Sequence, residues 1–198
     1  MRAWPIAFAL AGCGPDPGPA RTYECGGTVD CSVVRADDPG LEVGAGDPYA
    51  PSVEPLAPDA ELLLESGPQG GYHVYVNLRA RGICPTRVRL ERRLRLADDP
   101  LVQRTQRSQV RLVEGDDGTW VLGRAPQTFV CPPTYSGHVM FGVPLEVDVT
   151  LTEDDTCVGE GETPRSASGT ARFVARCPQG DAVCLEDDEV GCDAWAGG

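Results

Sequence analysis

Three sets of side chains in this 198-residue chain could do chemistry: nine cysteines, five runs of adjacent carboxylates and a stretch dense in arginine. Apart from Cys13, the cysteines are Cys25, Cys31, Cys84, Cys131, Cys157, Cys177, Cys184 and Cys192, an even set. Zinc needs thiolate or imidazole pairs at short spacing, yet no C-x-x-C occurs and His73 and His138 are the only histidines. Without metal spacing, the set reads as four disulfides, bonds that persist in an oxidising compartment.

The carboxylate runs are Asp37-Asp38, Asp98-Asp99, Asp116-Asp117, Glu153-Asp154-Asp155 and Asp187-Asp188-Glu189. Clustered oxygens in loops suit calcium, and the Glu153, Asp154, Asp155 and Asp187, Asp188, Glu189 groups are the leading candidates. No EF-hand loop is present, and adjacent Asp residues also serve turns and solubility, so a calcium-stabilised domain stays an alternative. Nucleophilic catalysis has one suggestive string, Tyr135-Ser136-Gly137-His138, which is not a G-x-S-x-G elbow. Ser136 and His138 read better as a polar loop, so no catalytic residue is assigned and a secreted hydrolase is the minor alternative.

All seventeen basic residues are Arg, and ten of them fall between positions 79 and 111. A period of two places Arg87, Arg89, Arg93 and Arg95 on one sheet face, with His73 and Tyr75 on a neighbouring strand. Guanidinium forks there could hold carboxylate or phosphate groups of a protein or anionic glycan partner. Cross-strand pairing with acids of the same chain is the competing use. The net charge of −13 opposes nucleic acid as a partner.

These residues need strands to position them. Tyr72, Val74, Val76 and Leu78 alternate with polar residues, as do Val88, Leu90, Leu94 and Leu96. Arg92 breaks the second pattern and predicts a bulge or strand end. Further strands are expected around Leu41–Gly44, Leu62–Leu64, Val110–Leu112, Trp120–Leu122, Val143–Leu151 and Ala171–Ala175. Asp117-Gly118 predicts a hairpin turn, and residues 97–106 carry a weak helical period. Together they predict an all-β, immunoglobulin-like sandwich of about seven antiparallel strands, stabilised by disulfides.

Greek-key order brings the strand ends near Arg81 and Leu151 to one pole, predicting Cys84–Cys157. The opposite pole predicts Cys131–Cys177. Short separations predict Cys25–Cys31 and Cys184–Cys192. The chain then divides into residues 1–12, a signal peptide; 13–40, a Pro/Gly-rich tether with a local disulfide loop; 41–178, the sandwich; and 179–198, an acidic tail closed by a disulfide.

The division at residue 12 rests on the start of the chain: Met1-Arg2, an apolar run and Leu10-Ala11-Gly12-Cys13. This ending resembles the lipobox of bacterial lipoproteins. The resemblance implies cleavage before Cys13, lipidation of that residue and a membrane anchored through it, and Gly14 implies sorting to the outer membrane. A second likeness rests on Gly67-Pro68-Gln69-Gly70-Gly71-Tyr72-His73-Val74 after Leu41-Glu42-Val43-Gly44-Ala45-Gly46. It is similar to uncharacterised exported lipoproteins of myxobacteria-like organisms and implies an immunoglobulin-like domain on a lipid anchor. It carries no activity. The expected function is a lipid-anchored, non-enzymatic binding or structural module of the cell envelope, with no cofactor unless calcium binds.

Overall fold

Apolar residues at every second position fold this chain into two β-sheets closed over one core. The computed structural model describes residues 29–66, 72–99, 103–115, 118–130, 141–155, 158 and 161–178. The first sheet contains β1 (Gly40–Ala45), β2 (Glu54–Pro55), β4 (Glu65–Ser66), β5 (Tyr72–Arg81), β8 (Leu112–Glu114), β9 (Trp120–Leu122) and β10 (Gln127–Phe129). The second runs in the order β3 (Ala60–Leu63), β12 (Ser166–Arg176), β11 (Pro144–Glu153), β6 (Val88–Leu96) and β7 (Gln103–Val110).

The all-β sandwich is therefore present, with more strands than the seven expected, the additions including the two-residue β2 and β4. Nor is it wholly antiparallel, because β3 pairs with β12 in parallel. Residues 103–110 form β7, so the weak helical period there gives way to cross-strand pairing with β6. After Arg111 the chain changes sheets: β7 pairs with β6, while β8 pairs with β9 through the expected hairpin. Gly118 at its tip has φ +68°, a conformation that favours glycine.

β11 shows how alternation builds the core. Leu145, Val147, Val149 and Leu151 are buried, while Glu146, Asp148, Thr150 and Thr152 face outward. With Leu90 and Leu94 of β6 and Phe173 of β12 beside them they form one wall of the core, and Leu78 of β5 belongs to the opposite wall, where Tyr72 packs edge-on against Phe141 at 5.5 Å. Each such side chain contributes roughly 1.5–3 kcal/mol by leaving water.

Two charged residues of β6 and β11 share the inward parity. Arg92 is buried, and the β6 ladders to β7 and β11 run unbroken through it, so the expected bulge is absent. Its Nη1 donates to the Pro126 carbonyl at 3.3 Å, the Gln127 carbonyl at 2.8 Å and Thr128 Oγ1 at 3.0 Å. Burial lowers its pKa to about 10. Glu153, at the inward position ending β11, is 1% exposed.

The cysteine pairing differs from expectation. Cys31 is bonded to Cys84, with Cα atoms 5.2 Å apart, so neither Cys25–Cys31 nor Cys84–Cys157 forms. β5 and β11 do finish at one pole, but there the Cys84 N–H meets the Glu153 carboxylate rather than a cysteine. The thiol is met by α1 (Cys31–Val34), a single turn capped by Asp30. The end of the expected tether is thus fixed to the sandwich. Cys177 is also disulfide-bonded, and its partner lies outside the described residues. Cys25, Cys131, Cys157, Cys184 and Cys192 lie outside them too, and with them the expected Cys131–Cys177 and Cys184–Cys192 pairs.

Gly82 sits beneath this attachment with φ +65°, and a Cβ there would lie 2.6 Å from the Asp37 carbonyl oxygen. Gly82→Ala is expected to lower the unfolding free energy by about 2 kcal/mol, read by urea denaturation. An unchanged midpoint would show that the strap does not press on this turn.

Candidate functional site

The outer face of the second sheet is a grid of polar side chains, set out by the registers of β7, β6, β11 and β12. One row across it is Gln109, Arg89, Thr152 and Ser166; the next is Arg107, Glu91, Thr150 and Ser168. Arg89, Arg93 and Arg95 share this face, as their spacing predicts. His73 and Tyr75 do not neighbour them: both lie on β5 in the other sheet.

Most of the arginine set is consumed by the chain's own acids. Arg87 Nε lies 3.1 Å from Asp154 Oδ2, and its Nη2 donates to Gln109 Oε1 at 3.2 Å. Arg95 pairs with Glu146 and, at 3.2 Å, with Asp148. Arg93 lies 3.6 Å from Glu91, which also accepts from Arg107 Nε at 2.7 Å. The exposed pairs among these contribute little to stability individually. Among the described residues, the Arg89 side chain alone of the four has no hydrogen-bond or ion-pair partner. As a four-arginine ligand site, then, the expectation is corrected: neutralisation within the sheet leaves one free guanidinium.

Arg89 borders a shallow groove of about 600 Å³ shared with Arg107, Ser108, Gln109, Thr150, Thr152 and Glu91, whose carboxylate is taken up by Arg93 and Arg107. The groove's hydroxyl wall is held in place by its neighbours. Ser166 Oγ donates to Thr152 Oγ1 at 3.0 Å, and Thr150 Oγ1 lies 3.1 Å from Ser168 Oγ. A free guanidinium beside fixed hydroxyls can take a carboxylate or phosphate together with neighbouring alcohols. The hydroxyl row was not singled out from sequence, although the alternation in β11 places Thr150 and Thr152 outward.

The calcium candidates fare differently. Glu153 accepts from Arg35 Nε at 3.1 Å, Cys84 N at 2.7 Å and Arg165 N at 2.9 Å, and forms an ion pair with Arg35 Nη2. Asp154 pairs with Arg87 and accepts from Gln109 Nε2 at 3.1 Å. With these oxygens occupied by donors, Glu153, Asp154 and Asp155 do not converge on a cation, and no metal-holding group occurs among the described residues. Burial alone would raise the Glu153 carboxyl pKa, but the donors from Arg35, Cys84 and Arg165 outweigh it and hold the group below its ordinary range. Asp187, Asp188 and Glu189 lie outside the described residues, as do Ser136 and His138.

His73 is buried on the other sheet, its Nε2 3.2 Å from the Tyr75 hydroxyl and its ring edge-on to Tyr75 and Phe129. Burial lowers its pKa, with Glu65 opposing. Compared with protein-family models and with curated proteins, the chain matches none.

Proposed function

We propose that this chain is a lipid-anchored, non-enzymatic module of the cell envelope, held at the outer membrane through Cys13, whose sandwich presents the Arg89 groove to an anionic group on a partner. The observation that carries the reading is the Cys31–Cys84 bridge. It supports export, because structural disulfides persist outside the reducing cytosol. It also ties Cys31, eighteen residues after Cys13, to the sandwich. The lipobox-like Leu10-Ala11-Gly12-Cys13 supplies the address.

Cell fractionation tests the anchoring. Cys13→Ser is expected to move the chain out of the membrane fraction, and its retention there would refute the anchor. The groove is tested by retardation in gels cast with polygalacturonate. Arg89→Ala is expected to weaken retardation about tenfold, corresponding to one charge-assisted contact, and added salt to weaken it further. Equal retardation of both proteins would remove Arg89 from any ligand site.

A further inference from the structure

We propose a second binding site, for a neutral oligosaccharide, centred on Tyr49 in the β1–β2 connection. Tyr49 is 90% exposed, the most exposed large apolar side chain among the described residues. Here the backbone beneath it is clamped while the ring stays outside.

The clamp is built from several independent contacts. Gly46 N donates to the Tyr75 carbonyl at 3.2 Å, and Ala125 N to the Asp47 carbonyl at 3.0 Å. The Tyr49 N–H is taken by Asp47 Oδ1 at 2.6 Å, and the Asp47 N–H by Ser52 Oγ at 3.2 Å. The buried Asn77 reaches up from β5 to donate to the Ser52 carbonyl at 2.8 Å. Loop and sheet approach so closely that a Cβ on Gly46 would stand 2.5 Å from Cβ of both Ala125 and Asn77. Pro48 and Pro51 stiffen the remaining turn. The backbone that carries the ring is therefore pre-organised, which lowers the part of the ordering cost that the loop would otherwise add to binding.

The surroundings indicate the ligand class. Tyr49 stands between two clefts and lines both. One, of about 450 Å³, offers Asp47, Ser52, Glu54 and Glu65; the other, of about 420 Å³, offers Tyr75, Arg124 and Gln127. Among the described residues, the Arg124 side chain has no partner of its own. An aromatic face flanked by carboxylates, an amide and a guanidinium matches a pyranose, whose C–H face meets the negative ring face while its hydroxyls meet donors and acceptors at the edge. Three carboxylates against one guanidinium oppose a polyanion, so the sugar is neutral. The site runs from one cleft to the other across Tyr49, so it takes an oligosaccharide rather than a single sugar ring. It lies on the opposite sheet from the Arg89 groove and does not depend on it.

Affinity electrophoresis of the whole mature chain in gels containing laminarin, mannan or galactan tests the proposal. Retardation by at least one is expected, weakened tenfold or more in Tyr49→Ala, kept within threefold in Tyr49→Phe, and unchanged in Arg89→Ala. Because Tyr49 is exposed, its substitution leaves folding intact, which circular dichroism checks. No retardation by any of the three, or equal retardation of Tyr49→Ala, overturns the site. Tyr49-dependent binding to a proline-rich peptide or to phosphatidylglycerol vesicles in place of the polysaccharides overturns the saccharide assignment.

Discussion

Replacing Glu153 by Ala is expected to lower the unfolding free energy by about 3–5 kcal/mol, the cost of leaving a buried ion pair half made. The carboxylate is the junction of three segments: α1 through Arg35, the β5–β6 connection through Cys84 N, and the approach to β12 through Arg165 N. Arg35 also reaches Glu162, and Arg165 Nη1 donates to the carbonyls of Asp37 at 2.9 Å and Gly82 at 3.3 Å. Alanine would orphan the Cys84 and Arg165 backbone N–H groups and leave the Arg35 guanidinium with Glu162 as its remaining acid. The same carboxylate gives the fold an acid-sensitive component. Its pKa is depressed in the folded chain, so its contribution is complete above the unfolded carboxylate value of about 4.3 and is lost as pH falls through the lower folded value. Urea denaturation at stepwise lower pH should show this decline in the native protein and a flatter one in Glu153→Gln. Parallel declines would mean that other carboxylates set the acid limit.

Removing the Cys31–Cys84 bridge is the second large effect. It closes a loop spanning 53 residues, for which chain entropy gives about 4 kcal/mol. Cys31→Ser/Cys84→Ser should lose roughly that amount in urea. It should also gain a tryptic cut after Arg35, which is shielded while α1 is held against the pole. Glu153 and the bridge secure the same strap, so combining their substitutions should cost less than the sum. Additive losses would show that the two act on separate units.

The alternation of β11 and β6 made the sandwich, its core residues and its outward arginines legible before any coordinates. The same period contained Arg92, at an inward position in the series Val88, Leu90, Arg92, Leu94. Its charge argued for a bulge, and what decided otherwise was three acceptors on and beside β10, a contact 34 to 36 residues away that no local pattern displays. Glu153 was hidden in the same way: its run of acids resembles a cation loop, and only the packing of α1 shows that the first of them is buried under Arg35. Strand order correctly brought the ends of β5 and β11 together. It could not include Cys31, because a four-residue helix in a Pro/Gly-rich stretch has no periodicity to read. The Arg89 groove was half visible. Its arginine face followed from spacing, while the pairing that neutralised Arg87, Arg93 and Arg95 depended on which acids stood opposite in register.

The most direct measurement is a non-reducing peptide map of the chain recovered from the membrane fraction after blocking free thiols. An exported, stapled, lipid-borne module should yield one peptide pair joined through Cys31 and Cys84, and an N-terminal peptide beginning at Cys13 with acyl mass added. Separate, alkylated Cys31 and Cys84 peptides on a chain still beginning at Met1 would contradict it.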